Sequence, residues 1–235
     1  MRSRCLLGNH ESIDQWGPSV HHIACRDLGR RGTAPLATRQ PRIREADGEH
    51  DRGEDDRHRG AVSHIAIAKD GTVYATDTFQ ARVLRLKKGA AALDVWAADP
   101  ALLNTADGIA VLDDGSVYVN SVGQGFLARI VVQPDGSAGA ITKLESSQPL
   151  SRPDGMRSVG SRTMLLVEGA GRLDEVTING NRAEIKVLKD GLAGPTAVTL
   201  VGNMAYVSEA RLNLRTSSED PGPFRAVGVP YTAPQ

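Results

Sequence analysis

Aromatic residues are scarce, at 4% of the 235. Stacking platforms for bases or sugar rings are hard to build from so few rings. Cysteine is nearly absent: Cys5 and Cys25 have no metal-ligand spacing and cannot form a disulfide framework. No apolar run approaches the roughly 20 residues that a membrane helix needs. Net charge is zero, with 28 basic residues against 28 acidic ones. Such a balance gives no global field to draw in nucleic acid or acidic lipid. A nucleic-acid partner and a membrane partner are therefore not expected. At this length one or two domains are expected, with ample chain for a core.

Lysine is missing from the first 60 residues, where all 11 basic residues are Arg. Five of the six histidines lie there too: His10, His21, His22, His50 and His58. Between Arg39 and Gly60 the one aliphatic side chain larger than Ala is Ile43. That stretch cannot bury enough area to offset the entropy of ordering. Residues 1–60 therefore read either as a disordered arm or as the product of an altered frame or mis-assigned start. Asn9, His10, Glu11 and Asp14 interrupt any signal-peptide core, and no compartment is assigned.

From Ala61 onward one grammar recurs: an apolar run, a turn, a second apolar run ending in a polar residue, then further strands. The four copies begin near Ser63, Asp107, Asp154 and Thr196. Their second strands start at Val73, Val117, Met164 and Ala205, spaced by 44, 47 and 41 residues. A period in the forties with only strand signals inside it predicts one four-stranded propeller blade per repeat. Asp70-Gly71, Asp114-Gly115 and Gly202-Asn203 supply the tight turns. Strands are expected at 63–68, 72–76, 82–86 and 92–97, then at 108–112, 116–120, 127–133 and 139–144. The third set is 155–159, 163–167, 173–178 and 182–188, and the last is 196–200, 204–208 and 224–229. The fold class is thus all-β, a propeller with blades near 61–104, 105–151, 152–194 and 195–235. The last blade lacks a fourth strand.

In a propeller, corresponding positions of successive blades converge on the axis. Ser63, Asp107, Asp154 and Thr196 are expected just before the inner strands, at one mouth of the channel. The far ends of the second strands return to that face and carry Asp77, Asn120, Glu168 and Glu209. Oxygen donors in that number suit Ca²⁺, or Mg²⁺ and Mn²⁺ with retained waters. The bland reading stands beside this one. Asp-Gly is a common turn, and carboxylates at strand ends are often solvated rim charges. Arg172 either holds a substrate carboxylate or is merely exposed. His64 reads as a strand residue and not as a ligand. Gly169-Ala170-Gly171 reads as a hairpin, since no helix follows it.

Asp107-Gly108-Ile109-Ala110, Pro153-Asp154-Gly155-Met156 and the paired strands Val73–Asp77 and Val117–Ser121 resemble the gluconolactonase, senescence-marker-protein (regucalcin) and LRE-like family. The stretches Val167–Asp174 and Lys189–Thr196 resemble its bacterial members. The resemblance covers about Ala61 to Tyr231. It implies a six-bladed propeller of NHL type that hydrolyses sugar lactones or related cyclic esters. It also implies a divalent cation, with Ca²⁺, Mn²⁺, Mg²⁺ and Zn²⁺ all open. In that family a first-blade Glu, an Asn before a middle inner strand and an Asp in a Pro-Asp-Gly turn hold the metal. Asp154 matches that Asp as ligand and general base, and Asp107 falls at or one blade from the Asn. No residue takes the place of the first-blade Glu. Asn120, Glu168, Arg172, Asp77 and Glu209 are the candidates for contacts to a lactone or sugar-acid substrate.

Six blades at this period need about 260 residues, whereas 175 follow residue 60. Some four blades are therefore expected, with activity impaired by the shortfall. Unpaired blade faces are expected to favour self-association. The alternative function is a non-catalytic propeller that binds a ligand or a protein.

Overall fold

The structure is a computed structural model that describes residues 61–234. The arm assigned to residues 1–60 lies outside the described residues. Four antiparallel sheets follow one another along the chain. The first is β1 (Val62–Ile67), β2 (Val73–Asp77), β3 (Arg82–Leu86) and β4 (Asp94–Ala98). The second is β5 (Ala106–Val111), β6 (Val117–Ser121), β7 (Phe126–Val132) and β8 (Ala138–Lys143). A two-residue strand, β9 (Glu145–Ser146), then pairs in parallel with the outer strand of the third sheet. That sheet is β10 (Pro153–Ser158), β11 (Thr163–Glu168), β12 (Arg172–Asn179) and β13 (Arg182–Lys189). The fourth has three strands: β14 (Pro195–Val201), β15 (Met204–Glu209) and β16 (Arg225–Pro230). Among the described residues the result is a four-blade β-propeller arrangement with almost no helix, a 3-10 turn at Leu212–Leu214 lying in the long loop before β16. Among the described residues no helix is long and apolar enough to cross a membrane.

Local chemistry explains the hairpins. Asp-Gly followed by Ser or Thr recurs at Asp70, Asp114 and Asp135. Each carboxylate accepts the backbone N–H two residues on, at 2.8–2.9 Å. Each glycine adopts positive φ (89°, 77° and 81° at Gly71, Gly115 and Gly136), which a side chain would resist. The second strands β2, β6 and β11 are buried along their whole length, and for β6 and β11 a neighbouring blade covers each face.

Three hydrophobic seams join the four blades among the described residues. Tyr74, Val83 and Trp96 pack on Ile109, Val117 and Ile130 between the first two blades. Tyr118 and Leu127 meet Met164, Leu166 and Val176 at the next seam. Leu165 and Leu173 meet Val198, Val207 and Val229 at the last. The outer faces beyond these seams expose Ile65, Ile67 and Val95 in blade one and Val201 and Tyr206 in blade four.

The inner strands β1, β5, β10 and β14 lie side by side in that order. All four carry a register shift near their start: Val62/Ile65, Ala106/Ile109, Pro153/Met156 and Pro195/Ala197. One extra residue opposes the partner strand there, which is a β-bulge. Ser63, Asp107, Asp154 and Thr196 therefore sit inside the strands at bulges, not ahead of them as the sequence suggests.

The bulges latch the blades together. Thr76 Oγ1 donates to the Asp107 carbonyl at 2.5 Å. Asn120 Nδ2 donates to the Asp154 carbonyl at 2.5 Å, while Asn120 Oδ1 accepts from Gly108 N at 3.0 Å. A Cβ at Gly108 would lie 2.0 Å from that same Asp154 oxygen, so only glycine fits. Replacing Asn120 by Ala strands one buried acceptor and one buried donor. The expected loss is about 2–4 kcal/mol, from the usual cost of unsatisfied buried groups. Urea unfolding measures it; an unchanged midpoint would mean that the latch does not hold the blades.

Candidate functional site

The bulges of three blades deliver three side chains to one point. His64 from β1, Asp107 from β5 and Asp154 from β10 each offer a ligand atom, and these atoms lie within 4.8 Å of one another. His64 Nδ1 is 3.2 Å from Asp107 Oδ1, and His64 Nε2 is 3.8 Å from Asp154 Oδ1. The two aspartate side chains are 13% and 12% exposed, so the site is largely shielded.

The electrostatics follow from the crowding. Burial, and then the negative charge of Asp107, push the Asp154 carboxyl up to about 7, against the pull of His64. Burial also works to raise Asp107, but the hydrogen bond and charge of His64, helped by Ser63, hold it below its ordinary value. Burial works to lower His64, yet the hydrogen bond to Asp107 and the charges of both aspartates raise it. Two carboxylates thus compete for one imidazole, and the less favoured one keeps a proton. A divalent cation would relieve the same repulsion. One imidazole and two carboxylates form a mixed N,O,O donor set, which suits Zn²⁺ or Mn²⁺ better than the all-oxygen set expected from the sequence.

The other expected residues have different surroundings. Asp77, Glu168 and Glu209 are buried, and each accepts a backbone N–H at the entry to its own blade. The donors are Ala61 to Asp77 at 2.9 Å, Ser151 to Glu168, and Ala193 to Glu209 at 2.7 Å. They are not solvated rim charges; they fasten the chain where it enters the inner strand. Arg82 pairs with Asp77 at 2.8 Å. Arg172 pairs with Glu168 and also donates to the Pro149 carbonyl, so its guanidinium is engaged and half-buried. Asn120 is not the register equivalent of Asp77. That place belongs to Ser121, and Asn120 stands one residue earlier, where Thr76 stands in blade one.

His64 escapes the sequence reading, although a signal for it exists. The residue after each bulged polar position is small in the other blades: Gly108, Gly155 and Ala197. A Cβ on Gly155 would come within 3.2 Å of His64 Nε2, so the imidazole fills space that the glycine leaves.

No protein-family model matches the sequence, and no curated protein is significantly similar to it. Solved structures share its fold. A luciferin-regenerating enzyme matches with a TM-score of 0.55 and 15% identity, over 73% of this chain and 63% of that one. A putative gluconolactonase gives 0.50 and 16%, over 62% of this chain and 54% of that one. A gluconolactonase from Xanthomonas campestris gives 0.49 and 16%, over 62% and 53%. The chain spans less than two thirds of the length of each. At such identities the likeness is one of fold: these are propeller blades of the kind found in gluconolactonases and related propeller enzymes.

One buried group stands outside the cluster. Asp174 is fully buried, and neither of its oxygens has a hydrogen-bond partner among the described residues. Burial, and then neighbouring Glu168, raise it from 3.8 to about 8. Its neutral form is therefore favoured at pH 7. The folded chain holds this proton where the unfolded chain has released it, so stability falls as pH rises from about 4 to about 8. Asp174→Asn keeps a donor and removes the penalty. Its melting temperature should exceed the parent's by about 5 °C at pH 8.5, with the gain vanishing near pH 4. Equal melting curves at pH 8.5 would show Asp174 to be ionised without cost.

Proposed function

We propose that this chain is a divalent-metal-dependent hydrolase of a sugar lactone or a related cyclic ester. The convergence of His64, Asp107 and Asp154 on one point carries this reading. These three residues would hold the cation. When bound, it would polarise the ester carbonyl and make water a better nucleophile. With the cation bound, Asp154 in its ionised form would take the proton from the attacking water. Water oxygen bonds to the acyl carbon, the ring C–O bond breaks, and the proton passes to the departing alkoxide, giving a hydroxy acid. Asp107 holds His64 by its Nδ1, and the Asn120 latch holds the backbone of Asp154. Both fix the donors without touching the ester.

The second reading is a non-catalytic ligand-binding propeller. One observation favours it: His64 already lies against both carboxylates, so the cluster is partly charge-compensated without a cation.

Hydrolysis of δ-gluconolactone above its spontaneous rate, followed by acid release, separates the two. The expected activity is abolished by a chelator and restored by Mn²⁺ or Zn²⁺. Asp154→Asn should lower kcat by about 10²-fold or more, the usual loss when a general base is removed. Metal binding with no turnover across a lactone panel would replace the hydrolase with the binding module. Chelator-insensitive hydrolysis would remove the metal from the reading.

A further inference from the structure

A cavity of about 380 Å³ opens between the third and fourth blades. It is lined by Arg152 before β10, Gly169 and Ala170 of the β11–β12 hairpin, Leu192 to Gly194 before β14, and Arg211 and Leu214 after β15. Leu192 is buried and Leu214 half-buried, which gives the cavity an apolar side. Its remaining walls are small residues or backbone.

The two arginines differ from four others in the described chain. Arg82, Arg85, Arg172 and Arg182 each pair with a carboxylate. Arg152 and Arg211 form no ion pair among the described residues. Each spends one nitrogen on a backbone carbonyl: Arg152 Nη2 on Gly169 at 2.6 Å, and Arg211 Nη1 on Pro221. The rest of each guanidinium fork is left for a ligand. Both residues also hold left-handed backbone conformations, at φ 55° and 47°, which cost energy for any side chain other than glycine. Glu209 lies close by, but its Oε1 is occupied by the Ala193 N–H at 2.7 Å.

Two unpaired guanidinium groups on one small cavity with an apolar side define a chemistry. Arginine forks match planar oxyanions, and two of them on one open cleft bind such an anion more strongly than either does alone. We propose that this cavity binds a small organic oxyanion, a carboxylate or a phosphate monoester with a short apolar portion. Arg152 and Arg211 hold the anionic group, and Leu192 and Leu214 take the apolar part. The site is independent of the hydrolase reading, since none of its lining residues belongs to the His64 cluster.

Ligand-observed NMR on the full chain tests this with three probes: hexanoate, hexyl phosphate and neutral hexanamide. The charged probes should bind saturably, and hexanamide at least tenfold more weakly. Whichever charged probe binds tighter identifies the carboxylate or the phosphate as the preferred source. Arg152→Gln and Arg211→Gln should each weaken the charged probes about tenfold, the loss of one charge-assisted hydrogen bond. Arg157→Gln, an exposed arginine outside the cavity, should leave binding unchanged. Leu214→Glu keeps both arginines but places a negative charge in the cavity, and should abolish anion binding even if one arginine variant misfolds. Circular dichroism establishes which variants are folded. Equal binding of hexanamide and hexanoate would overturn the proposal. So would parental binding by the folded arginine variants, or no binding of either anion.

Discussion

The interaction on which the site depends is the hydrogen bond from one blade to the bulged inner strand of the next. A bulge frees a carbonyl from the ladder, and a buried carbonyl needs a partner. Thr76 supplies it for Asp107, and Asn120 supplies it for Asp154. These bonds do two jobs at once. They join sheets whose hydrophobic seams alone fix neither register nor rotation. They also set the backbone from which the two aspartate side chains project, so the spacing of the carboxylates follows from blade packing. Gly108 belongs to the same constraint, because any Cβ there would overlap the Asp154 carbonyl.

The carboxylates at this end of the blades fall into two kinds, although sequence treats them alike. Asp77, Glu168 and Glu209 meet backbone N–H groups, and the first two also meet arginine. Their charge is used up in holding the chain, and breaking such a buried pair leaves an uncompensated charge behind. Asp107 and Asp154 meet each other and one imidazole. Their mutual repulsion is the unsatisfied part of the electrostatics, and it is where a cation or a proton has something to gain.

Much of this was legible in the residues. The strands of all four blades lie within about two residues of the positions expected from alternation, repeat spacing and Asp-Gly turns, because these signals are local. The pairing of Asp107 with Asp154 was legible too, since it is a repeat equivalence. What escaped depends on contacts between blades. Asn120 stands one residue before the end of its strand, which is Ser121, so its side chain turns onto the next blade and not to the rim. Arg172 looks exposed in a hairpin until the segment from Gln148 to Ser151 crosses it and Glu168 claims its charge. His64 has no equivalent histidine in the other blades, and its role shows only when the glycine beside it is recognised as vacated space.

His64 also alters what the four-blade arrangement can be asked to do. The family resemblance calls for a first-blade Glu, and no Glu stands there; the first blade instead contributes an imidazole at its bulge. The cluster draws on three consecutive inner strands, β1, β5 and β10. The first two seams and both latches tie those strands together. Blade four adds the backbone of Thr196 against His64. The exposed apolar faces of blades one and four lie beyond these contacts, at Ile65 and Ile67 on one side and Val201 and Tyr206 on the other. The geometry of the three donors therefore rests on contacts between consecutive blades, and not on what covers the outer faces.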